Sequence, residues 1–221
     1  MNKVKCSVLF LGKENDGYVE KALATCRANF TDVTPYLAKW NDPFPEDIGW
    51  WEGDYIISYL SKWVIPEYLL NKARIAAINF HPAPPEYPGV GCINFALYEG
   101  AREYGVTCHH MVTNVDAWQI IAVERFPVYE SDNIATLLVR AYDYQLVLFY
   151  RVIDLILNGG PLPASKEKWG RRPFTRKELD ELGRITFDMS RAEIAKRIRA
   201  ANFSVWKPFI ELQGFTFELK T

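Results

Sequence analysis

Arg74-Ile75-Ala76-Ala77-Ile78-Asn79-Phe80-His81-Pro82 decides the fold of this chain. The apolar run ending at Phe80 reads as a buried strand. Side chains alternate along a strand, so Asn79 and His81 share one face at its carboxyl end. The loop that follows, Pro82-Ala83-Pro84-Pro85-Glu86-Tyr87-Pro88-Gly89, holds too many prolines to continue the strand. Open α/β sheets place their chemistry at the carboxyl ends of parallel strands, which is where this amide and imidazole fall. Asp116 supplies a separate carboxylate to complete an acid–base set.

The pattern around this strand is that of a Rossmann-like, mostly parallel sheet. Residues 4–11 have the length and apolarity of a central strand. A loop over 12–17 leads into helical periodicity over 18–27, the way a βαβ unit begins. Weaker strand character covers 31–36, and 41–50 is irregular, with Pro43 and Pro45. A further strand is expected over 54–60 and a short helix over 66–71. Residues 92–99 read as a helix stopped by Gly100, and 105–112 and 119–128 as strands, so Asp116 lies in their connection. A long helix is expected over 133–158, with Ile134, Leu137, Leu138, Ala141, Gln145, Leu148, Val152, Leu155 and Ile156 on one broad face. Gly159-Gly160-Pro161 ends it.

Residues 1–160 are thus expected to form the α/β domain, and 161–221 a linker and small α+β subdomain. The stretch 161–176 is rich in proline and basic residues. Ser190-Arg191-Ala192-Glu193 has the capping-box pattern and opens a helix to about residue 201. Residues 209–212 and 215–219 read as a hairpin across Gln213-Gly214.

Composition narrows the function classes. The chain has 221 residues, 49% of them hydrophobic and 24% charged, as in an ordinary globular protein. A formal net charge of −1 provides no global field to draw in nucleic acid or an anionic membrane. The apolar stretch 146–157 contains Arg151 and Asp154, so it reads as a buried helix rather than a membrane span. The N-terminus shows no secretory pattern. Cys6, Cys26, Cys92 and Cys108 lack C-x-x-C spacing, which is the pattern of reduced thiols in a cytoplasmic protein. Cys108-His109-His110 alternates across a strand and makes a poor ligand set for one ion, so no metal is expected.

Asn79-Phe80-His81-Pro82, then Tyr87-Pro88-Gly89, a helix ending near Gly100, Tyr104-Gly105-Val106-Thr107, and Val115-Asp116 before Ile120-Ile121 follow a recognisable order. In this order and spacing, over most of residues 50–128, the chain resembles the N10-formyltetrahydrofolate-dependent formyltransferases. That family includes enzymes acting on glycinamide ribonucleotide, on methionyl-tRNA and on amino sugars. The resemblance implies the formyltransferase fold and a catalytic set of Asn79, His81 and Asp116. It implies a folate slot formed by Ser61, Lys62, Trp63, Val64 and Ile65 with the loop carrying Thr113 and Val115. N10-formyltetrahydrofolate would be the formyl donor. The chemistry suits these groups. Attack of an amine on the formyl carbon creates an oxyanion, to which Asn79 can donate. His81 can donate or shuttle a proton, and Asp116 can accept one from the attacking amine.

The resemblance also points to an acceptor. Methionyl-tRNA formyltransferases carry a further tRNA-binding domain, and the glycinamide ribonucleotide enzymes end soon after the core. Ile198-Arg199-Ala200-Ala201-Asn202-Phe203, Trp206, Pro208 and Phe209-Ile210-Glu211-Leu212 are similar to the C-terminal segment of sugar N-formyltransferases. Arg171-Arg172-Pro173 resembles their linker. A nucleotide-linked amino sugar, such as a dTDP-4-amino-4,6-dideoxyhexose, is therefore the expected acceptor, for surface polysaccharide synthesis. Lys13, Lys62, Arg171, Arg172 and Lys207 are candidate diphosphate contacts, and Tyr87, Phe203 and Trp206 candidate stacking platforms. A cytoplasmic homodimer joined through the C-terminal region is expected. The alternatives are the same chemistry on glycinamide ribonucleotide, or a folate or nucleotide-sugar binding protein without catalysis. One departure bears on the last. Where the family commonly has D-x-G-x-I-I, this chain has Asp116-Ala117-Trp118-Gln119-Ile120-Ile121. Trp118 puts a large ring where glycine would permit a positive φ.

Overall fold

A computed structural model describes residues 3–111, 119–204 and 206–220. Eight strands and six helices follow in the order β1 (Val4–Lys13), α1 (Gly17–Asn29), β2 (Phe30–Ala38), β3 (Gly53–Tyr59), α2 (Glu67–Leu70), β4 (Ala73–His81), α3 (Cys92–Glu99), β5 (Glu103–His110), β6 (Ile120–Pro127), α4 (Ile134–Leu157), α5 (Arg176–Gly183), α6 (Arg191–Ala201), β7 (Phe209–Leu212) and β8 (Phe215–Glu218), with a 3-10 turn over Asp47–Trp50. The first six strands form one sheet in the order β2-β1-β3-β4-β5-β6, and β7 and β8 form a separate antiparallel pair. This is the α/β architecture expected from the sequence. The four strands β2, β1, β3 and β4 pair in parallel.

Two features refine the expectation of a mostly parallel sheet. The strand carrying Asn79 is not buried throughout, since Ile75 is 60% exposed and burial begins at Ala76. In addition, β4 pairs with β5 in antiparallel fashion, through Ile78–His110, Asn79–His109, Phe80–Cys108 and His81–Thr107. The strand of interest therefore has a parallel neighbour on one side and an antiparallel one on the other.

Contacts divide the chain into two compact units, residues 1–82, 106–124 and 142–168, and residues 83–105, 125–141 and 169–221. In the first unit β1 is apolar because it is central, with Val8, Leu9, Phe10 and Leu11 fully buried. Gly12 ends this run where α1 crosses close by. A Cβ there would lie 2.6 Å from Val19 Cγ1, so no larger residue fits without displacement. Asp16 caps α1, its carboxylate accepting from the amides of Tyr18 and Val19. One sheet face holds a cluster of Leu9, Leu11, Ile48, Ile56, Leu69 and Ala77. The other packs Tyr59 and Phe80 against Phe149 of α4, with ring centroids 5.1–5.8 Å apart.

In the second unit Asn94 of α3 donates to the Ala200 carbonyl of α6 at 2.7 Å. The stretch 161–176 reads as a linker, yet its end is packed. The Phe174 ring stacks on Phe95 at 3.7 Å, and its backbone bonds to Pro88 and Val90. Helix α5 was not anticipated. Thr175 and Glu178 form a complete capping box there. At Ser190 only half of the expected box forms. The hydroxyl accepts from the Glu193 amide, while the Glu193 carboxylate accepts from Arg197 and Tyr98. The expected hairpin is present, and Ile210 faces Phe217 and Leu212 faces Phe215 across it. No described helix is long and apolar enough to cross a membrane.

Candidate active site

Sheet register assembles the site. Leu11, Ser58, Asn79 and His109 lie side by side on β1, β3, β4 and β5. Aligned neighbours point to the same face. This row lies one step, two residues along each strand, toward the carboxyl end from Leu9, Ile56 and Ala77 of the apolar cluster. The core thus gives way to polar side chains at the sheet's edge, and His81 follows Asn79 on the same face.

His109 fixes how Asn79 is presented. Its Nδ1 lies 2.9 Å from the His110 carbonyl, which can only accept, so Nδ1 carries the proton. The ring is 5% exposed, and burial is the main cause that lowers its pKa from 6.5 to about 4. At neutral pH the ring is uncharged, which makes Nε2 an acceptor. Asn79 Nδ2 lies 3.1 Å from it and must present its NH2 there. One amide hydrogen is committed to His109, the flip of the side chain is decided, and the second hydrogen and Oδ1 keep a defined direction. His109 entered the sequence reading only within an unpromising metal triplet. Among the described residues no group of three or more His, Cys, Asp or Glu is placed to hold a metal ion.

The segment expected to wall a folate slot leaves the sheet abruptly. Leu60 takes a positive φ of 54° directly after β3, a conformation that a leucine adopts only under constraint from its surroundings. Trp63 and Ile65 then pack on the apolar cluster, as does Met111 at the end of β5. Trp63, Ile65 and Met111 thus share one apolar floor. Trp63 is oriented by bonds from Nε1 to the Asp42 and Pro43 carbonyls at 3.0 and 3.1 Å and by an edge contact with Phe44. Ser61 Oγ accepts from the Trp63 amide. Val64 projects outward, 94% exposed, and Lys62 lies over the Trp40 ring at 4.9 Å. Burial and nearby Lys13 lower the pKa of Lys62. Thr113, Val115, Asp116 and Trp118 fall outside the described residues.

The candidate acceptor contacts are placed differently. Lys13, at the end of β1, pairs with the buried Asp16 carboxylate at 2.9 Å. Tyr87, Arg171, Phe203 and Trp206 belong to the second unit. There Arg171 pairs with Glu99 at 2.8 Å and covers the Tyr87 and Phe174 rings. Tyr87 is buried and bonds Glu99, and burial with that bond raises its pKa to about 12. Arg172 pairs with Glu178, and Lys207 with Asn202 Oδ1. Phe203 and Trp206 bridge through their backbones, and the Trp206 ring lies under Arg176 at 5.6 Å.

Together the sheet order and the strand ends define an α/β protein with a row of polar side chains at the carboxyl ends of β3 and β4. Residues 45–153 match the formyl transferase family model. A methionyl-tRNA formyltransferase from Geobacillus thermodenitrificans is 28% identical over 156 residues, which take in 69% of this chain and 47% of that protein. The chain spans less than two thirds of the curated relatives it matches. In fold it is similar to a 4-N formyltransferase from Francisella tularensis (TM-score 0.76, 18% identity, 97% of each chain). It is also similar to an N-formyltransferase from Helicobacter canadensis in complex with folinic acid and dTDP-3-aminofucose (TM-score 0.69, 19% identity, 94% of this chain and 84% of the other).

Proposed function

We propose that this protein transfers a formyl group from N10-formyltetrahydrofolate to the amine of a nucleotide-linked amino sugar, with Asn79, His81 and Asp116 as the catalytic set. The observation that carries the reading is the Asn79–His109 bond. It turns an otherwise ambiguous strand-end amide into a preorganised donor, the device that stabilises an oxyanion at least reorganisation. The acceptor nitrogen attacks the formyl carbon and the carbonyl π pair moves to oxygen, where the second Asn79 N–H and His81 donate. Asp116 takes the proton released by the attacking nitrogen. The oxyanion pair then re-forms the carbonyl, the C–N10 bond breaks with its electron pair going to N10, and N10 takes up the proton that Asp116 accepted, relayed through His81. Holding donor and amine together supplies the rest, so no protein nucleophile is required. The apolar floor of Trp63, Ile65 and Met111 suits the flat pterin ring of the donor.

One observation favours the sugar acceptor. The fold likeness to the Francisella and Helicobacter proteins takes in 97% and 94% of this chain, well beyond the 45–153 segment. Purified protein should be offered labelled formyl donor with nucleotide-linked 3-amino and 4-amino sugars, glycinamide ribonucleotide and methionyl-tRNA. Labelled amino sugar is the expected product, and label confined to the ribonucleotide or the tRNA would refute the acceptor assignment.

The product would serve surface polysaccharide synthesis in the cytoplasm. We assign the homodimer contact to the hairpin face of Ile210, Leu212, Phe215 and Phe217. Three of these are 45–69% exposed on a two-stranded sheet that is marginal alone. Phe217→Glu should halve the sedimenting mass, and a monomeric wild type would dispose of the assignment.

A further inference from the structure

We infer that Gln145 is a positioning residue for the Asn79–His81 strand end, an inference that rests on the catalytic reading of those two residues. Gln145 lies in the middle of α4, fully buried, and its Nε2 donates to the Phe80 carbonyl at 2.7 Å. Phe80 separates Asn79 from His81. Its carbonyl belongs to the peptide group whose N–H is that of His81, so holding the carbonyl fixes the plane from which the His81 side chain departs.

The sheet does not continue on the β3 side. Strand β3 ends at Tyr59, level with Phe80, and Leu60 turns away at φ 54°. The last residues of β4 therefore run beyond their parallel neighbour, and α4 supplies a hydrogen-bond donor from the opposite face. Phe149, one helical turn after Gln145, packs on both Tyr59 and Phe80 and holds the helix at this height.

Gln145 is poorly suited to stability alone. Its Oε1 is buried with no partner among the described residues, and so is the neighbouring Tyr59 hydroxyl. An orphaned buried oxygen costs stability, and an apolar side chain of the same length would avoid that cost. What such a side chain could not do is donate to the Phe80 carbonyl. Gln145 thus leaves one buried oxygen unsatisfied while it satisfies another, and what it adds is the geometry of the strand end bearing Asn79 and His81.

The test compares Gln145→Met and Gln145→Glu with wild type and with Asn79→Ala. Gln145→Met removes the orphaned Oε1 but leaves the Phe80 carbonyl without this donor, so the melting temperature should stay close to wild type. The substitution should lower kcat at least about tenfold through misplacement of His81, leave KM for the formyl donor within about twofold, and shift the His81 imidazole nitrogen resonances. Gln145→Glu provides the rescue. Burial favours its neutral carboxyl, which can donate to Phe80, so kcat should approach wild type at low pH and fall as the group ionises. A purely structural glutamine would instead leave the kcat of Gln145→Met, the His81 resonances and the pH profile of Gln145→Glu unchanged. Wild-type kcat in Gln145→Met alongside an inactive Asn79→Ala would overturn the inference alone. An active Asn79→Ala would overturn the catalytic reading beneath it.

Discussion

Asn79 with His109 and Glu99 with Arg171 are both polar pairs flanked by aromatic residues, and they behave in opposite ways. The first is neutral, part-buried and oriented by a chain of bonds ending on a backbone carbonyl. The second is an ion pair whose side chains are each more than a third exposed, with the arginine spread over two rings. In the first, burial forces one arrangement and leaves an amide hydrogen aimed in a fixed direction. In the second, the charges satisfy each other. A cation among aromatic residues looks like a ligand site in the sequence, and here it is paired with Glu99 and lies over the Tyr87 and Phe174 rings. The amide is one of two polar groups that the sequence puts at its strand end, and here its bond to His109 orients it.

The largest effect that separates the two regions concerns pH. The His109 ring resists protonation when folded down to about pH 4, whereas in the unfolded chain it takes a proton near 6.5. Between those values the unfolded state binds more protons, so the contribution is fully present above pH 6.5 and is lost as pH falls toward 4. It should reach about 3 kcal/mol. Urea midpoints at pH 7 and 4.5 should diverge in wild type and much less in His109→Gln. An identical pH dependence in the two proteins would mean that His109 is not the neutral, buried partner of Asn79. A smaller effect is expected in the other region. Arg171→Ala removes a partly exposed pair and should cost no more than about 1 kcal/mol. It should leave KM for the nucleotide sugar within about twofold. A tenfold rise in KM would return Arg171 to the ligand and break the comparison.

The sequence made the fold legible where periodicity and spacing are local. The apolar run ending at Phe80, the alternation that pairs Asn79 with His81, and the Gln213-Gly214 turn are all short-range signals. The direction of β5 was not among them, because period-two alternation is the same in parallel and antiparallel strands. His109 escaped for the related reason that its partner lies 30 residues away, across a register that only the folded sheet defines. Helix α5 had a readable signal in Thr175-x-x-Glu178, hidden by the proline-rich, basic stretch before it. At Ser190 the same signal was half right, since Glu193 found stronger partners in Arg197 and Tyr98. For the candidate diphosphate cations the sequence shows charge but not the carboxylate beside it, as Asp16 is for Lys13 and Glu99 for Arg171.

The central claim is that the β4 strand end performs formyl transfer. Its most direct test is single-turnover transfer of labelled formyl from N10-formyltetrahydrofolate to a nucleotide-linked amino sugar, comparing wild type with folded Asn79→Ala and His81→Ala at saturating donor. The account predicts transfer by the wild type and a loss of roughly a hundredfold or more in each variant, with donor binding retained. Transfer at the wild-type rate by either variant would contradict it.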